Sequence, residues 1–375
     1  MKILFYLTRF PGIGGIENVT NIIVSKLKKN NDISIISHIN NNAANPLEGV
    51  KLFFMPNNKN WCAKENIQYV QNIIEENNFD AIIYQDSYAP TDKLVCSLSK
   101  KYNIPLYVFE HNTPLFVYNK RNLDSIFTLK GFLRKLLHPY LVHKEIKRKR
   151  NLLEHSKKYV LLSKQFIPEF CNLVNANTDD ERITFINNPI LPKGNNNCTK
   201  KENIILCVSR LAREKCVDKM IYMWNEISKE LQDWRFVIIG DGPEKSKLES
   251  IVNKCKIQRV DFIGFANPDS YYKKAKIFWM TSKYEGWGMT LIEAMQFGCV
   301  PIVFKTFSSV SDIIISGNNG FLISPENKED FIKQTLKLSK DEVLRKNMGK
   351  CAIKVTDKFS INKIIEQWEE LLNQK

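Results

Sequence analysis

The stretch SKYEGWGMTLIEAMQFGCVPIV, Ser282 to Val303, holds two carboxylates, Glu285 and Glu293, separated by seven residues, with a glycine-broken turn at Gly286 and Gly288 between them. A helical pattern begins near Met289. Thr290, Leu291, Ala294, Met295 and Phe297 give it an apolar face, Gly298 stops it, and Val300 to Phe304 reads as a buried strand. The first amides of such a helix, from Gly288 through Met289 and Thr290 to Leu291, lack partners inside it, and the helix dipole makes that end positive. A phosphate fits there. Glu285, just ahead, would meet a neutral sugar attached to that phosphate, and Glu293, one turn inside, could accept from two neighbouring ribose hydroxyls.

Working outward, the same alternation of strand and helix recurs on both sides. Upstream, the apolar run Ile204 to Val208 delivers Ser209-Arg210-Leu211, with Lys215 five residues beyond Arg210. A guanidinium and an ammonium at a strand end are what a departing nucleotide diphosphate requires when no metal is present. Phe236 to Gly240, Val260 to Ile263 and Ile277 to Met280 read as further strands, and everything beyond Lys328 reads as helix. Ile361, Ile364, Ile365, Trp368, Leu371 and Leu372 form one apolar stripe on the terminal helix.

The first half opens on the strand Ile3 to Thr8, the loop Arg9-Phe-Pro-Gly-Ile-Gly-Gly15 and a helical pattern, which is the opening of a doubly wound sheet. After Gly12 and Gly14 the third glycine of a dinucleotide fingerprint is replaced by Glu17, and the second strand ends near Ser37-His38 without an acidic residue. Hydride chemistry is therefore disfavoured. Gly14 and Gly15 suit either a tight turn needing positive φ or a close approach of backbone to ligand. Strand Leu106 to Phe109 ends in Glu110-His111-Asn112, placing His111 at a strand's carboxyl end, where ligands collect in open α/β sheets. The prolines, glycine, asparagines and lysines of NNPILPKGNNNCTKKEN break every period and mark an interdomain linker.

Composition sets the outer bounds. The chain of 375 residues, 43% hydrophobic, suits two domains better than one core. Nine cysteines without a C-x-x-C pair argue for reduced thiols, and five histidines without ligand spacing do not suggest a metal. No apolar run approaches the ~20 residues of a membrane span, and ILFYL is too short for a signal-peptide core. A cytoplasmic protein is expected. The net charge of +15 leaves nucleic acid, an anionic lipid surface or a phosphate-bearing substrate as partners. Lys130 to Arg150, KGFLRKLLHPYLVHKEIKRKR, carries eight Lys or Arg against one Glu, with Phe132, Leu133, Leu136, Leu137, Tyr140 and Leu141 at helical spacing and a kink or restart at Pro139. It reads equally as a membrane-surface helix, to which each basic group adds about 1 kcal/mol, or as a core-facing helix with a solvated basic face.

The spacing E-x7-E followed by A-M-x-x-G-x-P resembles the signature of family 4 glycosyltransferases, which are retaining, nucleotide-sugar-dependent enzymes of the GT-B fold. The segment from Arg210 to Lys215 is similar to the family's R-L-x-x-x-K-G motif, with Cys216 in place of the glycine, and Val260 to Gly264 resembles the part that receives the base. The resemblance implies an α/β protein of two facing Rossmann-like domains, each a parallel sheet flanked by helices, with a final helix crossing back to the first. It implies an acceptor domain over 1–190, joined by 358–375, a linker over 191–202 and a donor domain over 203–357. Arg210 and Lys215 would grip the diphosphate, Glu285 orient the sugar, His111 assist on the acceptor side, Glu293 anchor the ribose, Phe265 approach the base, and Gly14 and Gly15 admit the diphosphate and acceptor. No cofactor and no metal would be required.

The implied reaction moves a hexosyl or N-acetylhexosaminyl group from a nucleotide-diphosphate sugar, most readily UDP-linked, to a glycan or lipid-linked acceptor of bacterial capsule, O-antigen or related glycans. A lipid-linked acceptor would suit an anionic membrane surface at Lys130 to Arg150. Two other classes stay open: an epimerase or phosphorylase on the same architecture, and a basic nucleic-acid-binding module. RNA-recognition motifs with interleaved aromatics are not apparent, so nucleic acid is not expected as a partner.

Overall fold

The computed structural model describes residues 1–12, 14–40, 47–85, 90–122, 129–193 and 200–374. Two compact units divide the chain, Met1–Leu191 with Ile361–Lys375 and Pro192–Ser360. Of the expected linker over 191–202, residues 194–199 lie outside the described residues.

The first unit runs β1 (Lys2–Arg9), α1 (Gly15–Leu27), β2 (Asp32–Ile39), β3 (Lys51–Phe54), α2 (Lys64–Asn77), β4 (Ala81–Tyr84), α3 (Asp92–Tyr102), β5 (Leu106–Phe109), α4 (Phe116–Asn122), α5 (Leu129–Leu136), α6 (His138–His155), β6 (Lys158–Leu161), α7 (Phe166–Val174) and β7 (Ile183–Phe185). Its strands form one parallel sheet in the order β3-β2-β1-β4-β5-β6-β7. Helices on both faces leave the central strands no solvated side, which is why FYL and AIIY read as continuous apolar runs rather than alternating ones.

The second unit runs β8 (Ile204–Val208), α8 (Val217–Ile227), β9 (Arg235–Ile239), α9 (Lys245–Lys254), β10 (Val260–Gly264), α10 (Asp269–Lys274), β11 (Ile277–Met280), α11 (Met289–Gln296), β12 (Val300–Phe304), α12 (Val310–Ile313), β13 (Phe321–Ile323), α13 (Lys328–Lys340) and α14 (Glu342–Thr356). The parallel order is β10-β9-β8-β11-β12-β13. Its core gathers Met220, Trp224, Phe236, Trp279, Phe304 and Phe331, all nearly or fully buried.

The last helix, α15 (Ile361–Asn373), belongs to the first unit. Trp368 stacks on Phe109 with ring centroids 4.0 Å apart and an interplanar angle of 7°, and Phe5 lies 6.1 Å away on the same indole. The apolar stripe of the terminal helix thus completes the core of β1 and β5 rather than that of the unit preceding it in sequence.

The basic segment divides its two faces unevenly. Leu136 ends one helix, Leu137 precedes the next and Pro139 sits in that helix's first turn, so the chain restarts there, as proline at a helix start allows. In α6, Lys149 is fully buried against Glu110, and Arg148 pairs with Glu145 at 2.9 Å and with Asp92 at 3.5 Å. Two of the eight cations are therefore spent inside the unit. Phe132, Leu133, Leu136, Leu137 and Tyr140 are exposed, Leu136 by 68%, so the expected core-facing reading does not hold for the α5 end.

Candidate active site

Gly288 holds φ +82 and caps α11 without any side-chain acceptor. A left-handed residue here lets the chain turn from the Glu285 loop directly into the helix, and glycine adopts it without a Cβ clash. Leu291 N–H already donates to Gly288 O at 3.0 Å, and Ile292 N–H to the same oxygen at 3.3 Å. This corrects the expected set of free amides: among the described residues, those of Gly288, Met289 and Thr290 have no backbone acceptor, and that of Leu291 does. The apolar face also differs by one position, since Ile292 is buried and Thr290 only partly so.

Glu285 does not stand alone ahead of that helix end. Its Oε1 accepts from Lys215 Nζ at 2.5 Å and from Ser282 Oγ at 2.7 Å, and the two charged side chains are 14% and 19% exposed. The two motifs, separated by seventy residues in sequence, meet in one charge pair. The backbone that delivers Lys215 is tied to the same loop. Lys283 N–H donates to Glu214 O at 2.7 Å, and Thr281 Oγ1 donates to the carbonyls of Lys215 and Cys216 at 3.2 and 2.9 Å. Burial, helped by the Glu214 and Glu285 carboxylates, pushes the neighbouring Tyr284 phenol up to about 12.

Cys216 explains how the motif survives without its glycine. It sits at φ +50, ψ +41 between the 3-10 turn Arg213–Lys215 and α8, in the left-handed conformation a glycine would take for nothing. Only 6% of its surface is exposed, so its side chain supplies packing in return.

Arg210 is exposed, and among the described residues its guanidinium has no ion pair. Its backbone is nonetheless fixed. Ser209 N–H donates to Ile239 O and Leu211 N–H to Asp241 O, at 3.0 and 2.9 Å, so the loop after β9 clamps the loop after β8. Gly240, at φ +137, is required for this approach, because a Cβ there would stand 1.9 Å from Ser209 O.

Glu293 lies one turn into α11, partly buried, and its Oε2 accepts from Tyr272 Oη at 3.2 Å. Burial raises its pKa, Lys193 and the Tyr272 hydroxyl oppose that rise, and Asp269 adds to it. Phe265 follows the edge strand β10 and is 86% exposed, a ring with nothing packed on most of its surface. A cavity of about 610 Å³ beside β10, lined by Arg235, Phe262, Tyr271 and Lys274, contains none of these residues, and its cations are engaged by Glu202 and Asp261.

The remaining expected residues belong to the first unit. Gly14 has φ −77 and caps α1, and Gly15 opens that helix, so neither uses the positive φ that the expected tight turn would need. A Cβ on Gly14 would lie 2.2 Å from Glu17 Oε2, whereas one on Gly15 would meet nothing within 4 Å. His111 follows β5 with both ring nitrogens buried and, among the described residues, without a hydrogen-bond partner, and burial pushes its pKa down to about 4. The imidazole is therefore neutral at physiological pH. Its neighbour Glu110, which sequence reasoning passed over, is fully buried and accepts from Tyr159 Oη at 2.6 Å as well as from Lys149. Tyr272 and Glu110 carried no signal of their own in the sequence, because each acts through a partner far away along the chain, and Ser282, three residues before Glu285, belongs to no recognisable spacing.

Arg210, Lys215, Glu285, Gly288 and Glu293 all fall within residues 193–355, which match the model of glycosyl transferases group 1. The matched segment is under half of the chain. The chain carrying it is a glycosyltransferase of GT-B fold, with relatives along its whole length. It is 26% identical over 388 aligned positions to an uncharacterized glycosyltransferase of Haemophilus influenzae, covering 99% of each chain. It is 24% identical to the GalNAc-alpha-(1->4)-GalNAc-alpha-(1->3)-diNAcBac-PP-undecaprenol alpha-1,4-N-acetyl-D-galactosaminyltransferase of Campylobacter jejuni, covering 99% of this chain and 98% of that one. Among solved structures, Anabaena HepE in complex with UDP and glucose superposes with a TM-score of 0.75 over 99% of both chains at 17% identity, a likeness of fold.

Proposed function

We propose that this glycosyltransferase moves a hexosyl or N-acetylhexosaminyl group, with retention, from a UDP-sugar to a glycan or lipid-linked acceptor in bacterial surface polysaccharide synthesis. The observation that carries the reading is the Lys215–Glu285 contact, which brings a cation from the loop after β8 to the carboxylate of the loop that leads into α11, a helix whose start has no side-chain cap. The HepE complex with UDP and glucose supports the donor class, and the Campylobacter relative, which acts on a sugar chain linked to undecaprenol by a diphosphate, supports the acceptor class.

In this reading the donor's glycosidic bond stretches while negative charge grows on the β-phosphate. Arg210, Lys215 and the amides of Gly288, Met289 and Thr290 meet that charge more strongly in the transition state than in the ground state, which lowers the barrier and leaves no task for a metal. The acceptor hydroxyl attacks from the face the leaving group departs from, a phosphate oxygen takes its proton, and the anomeric configuration is kept. Glu285 holds a sugar hydroxyl, Glu293 the ribose and Phe265 the base. Gly14 and Gly15 admit the diphosphate, and neutral His111 hydrogen-bonds on the acceptor side.

The exposed apolar residues of α5 and the start of α6, flanked by Arg134, Lys135 and Lys144, fit an anionic bilayer carrying such an acceptor. No helix among the described residues is long and apolar enough to cross a membrane. A thermal-shift panel of nucleotide sugars tests the donor, since a ligand binding only the folded form raises its melting point. UDP-sugars should give the shift, and NMR of the product should report the donor's own anomeric configuration. No shift with any UDP compound, or an inverted product, contradicts the proposal. Flotation with phosphatidylglycerol vesicles tests the surface, and Leu136→Ser with Phe132→Ser should abolish it.

A further inference from the structure

The ring of Tyr272 is completely buried, stacked on Phe297 with centroids 5.9 Å apart, in a space a phenylalanine would fill equally well. A phenol hydroxyl taken out of water must find a partner or cost stability, and this one spends itself on a single oxygen of Glu293. The helix that carries it, α10, is held at both ends from the segment leading into the second unit. Lys193 pairs with Asp269, the first residue of α10, at 2.5 Å, and its ammonium lies 5.9 Å from the Tyr272 ring centre. At the other end, Lys201 donates to the carbonyls of Tyr272 and Ala275 at 3.0 and 2.7 Å, and Cys299 Sγ donates to the same two oxygens. The Tyr272 backbone is therefore tied down, and among the described residues its hydroxyl has no acceptor other than Glu293.

We propose that Tyr272 is a positioning residue for donor binding, fixing one oxygen of Glu293 so that the carboxylate's remaining lone pairs are presented in one orientation to the two neighbouring ribose hydroxyls. Lys193 and Lys201 hold the helix that makes this possible, which assigns a task to cations that lie outside every donor motif of the sequence. The inference rests on the ribose reading of Glu293 given above. A carboxylate free to rotate would still accept from a ribose, but would lose rotamer freedom on binding and meet both hydroxyls less often.

The test titrates UDP, and dideoxy-UDP lacking both ribose hydroxyls, into the full chain and into Tyr272→Phe, Glu293→Ala and the double variant. Tyr272→Phe keeps the packed ring, so its melting point should stay near that of the parent. Its UDP affinity should fall about tenfold, the scale of one hydrogen bond to an ionised group, with kcat at saturating donor unchanged and dideoxy-UDP affinity untouched. The double variant should bind UDP no more weakly than Glu293→Ala alone. If Tyr272→Phe binds UDP as the parent does while Glu293→Ala does not, the positioning role fails and the ribose reading stands. If Tyr272→Phe loses UDP and dideoxy-UDP equally, the hydroxyl serves the fold rather than the ribose. If Glu293→Ala binds UDP as the parent does, the ribose reading falls and this inference with it.

Discussion

Replacing Lys215 by alanine separates what its ion pair does for the fold from what the cation does for the reaction. In the free protein the ammonium lies 2.5 Å from Glu285 Oε1, and both side chains are mostly, though not wholly, removed from water. Losing one member of a closed-off pair costs about 3–5 kcal/mol, but side chains that are 19% and 14% exposed still reach solvent, and Glu285 keeps the Ser282 hydroxyl. That discounts the cost to roughly 1–3 kcal/mol. At about 2–4 °C per kcal/mol for a unit of this size, the transition reporting the second unit should fall by roughly 2–12 °C. The loss of rate should be larger than this implies, at least ~100-fold in kcat/KM, because the cation meets charge that develops only in the transition state. The double variant Lys215→Ala/Glu285→Ala carries no orphaned charge, so it should recover most of the stability and none of the activity. Differential scanning calorimetry and a coupled assay for released nucleotide measure the two separately. Turnover near the parent's in Lys215→Ala, or activity returning with stability in the double variant, would refute the assignment of Lys215 to the leaving diphosphate.

Arg210→Ala should lose at least ~100-fold in kcat/KM while its melting point stays within a degree or so of the parent, since the exposed guanidinium makes no ion pair among the described residues; a large fall in stability would show a structural arginine instead. Cys216→Gly relieves about 1 kcal/mol of left-handed strain but gives up a buried side chain, so denaturant titration should find it within about 1 kcal/mol of the parent, and Cys216→Val clearly less stable; a Val variant as stable as the Gly variant would contradict the φ argument. Burial pushes the imidazoles of His38 and His111 down to about 4 from 6.5, so the unfolded chain takes up these protons first as pH falls. Stability from this source is intact above about pH 6.5 and declines by about 1.4 kcal/mol per pH unit per histidine down to about pH 4, and His38→Gln should flatten that slope by one histidine's share. An unchanged slope in His38→Gln would mean that His38 charges freely in the fold.

The architecture was legible because a doubly wound sheet writes itself into the chain twice over: strands such as Ile204–Val208, Ile277–Met280 and Val300–Phe304 are unbroken apolar runs, and Gly288 and Gly298 punctuate the helix between them. The short edge strands Lys51–Phe54 and Phe321–Ile323 escaped notice, since three or four residues at a sheet margin leave no period to read. For the proposed site, motif spacing in the sequence is enough to single out Arg210, Lys215, Glu285 and Glu293 as candidates. Their pairings are not legible in that spacing. That Lys215 closes on Glu285, that Tyr272 holds Glu293 and that Lys149 disappears beneath Glu110 are consequences of chain crossings that no local pattern encodes. The basic segment shows the same limit from the other side, because a charge count treats Arg148 and Lys149 as surface cations when the fold uses them as internal ties.

A crystal structure with UDP bound would show where the nucleotide lies. Its diphosphate should rest against the amides of Met289 and Thr290, with Arg210 and Lys215 on its oxygens and the ribose hydroxyls on Glu293. A nucleotide lodged elsewhere, or one whose diphosphate touches neither Arg210 nor Lys215, would contradict the proposed site.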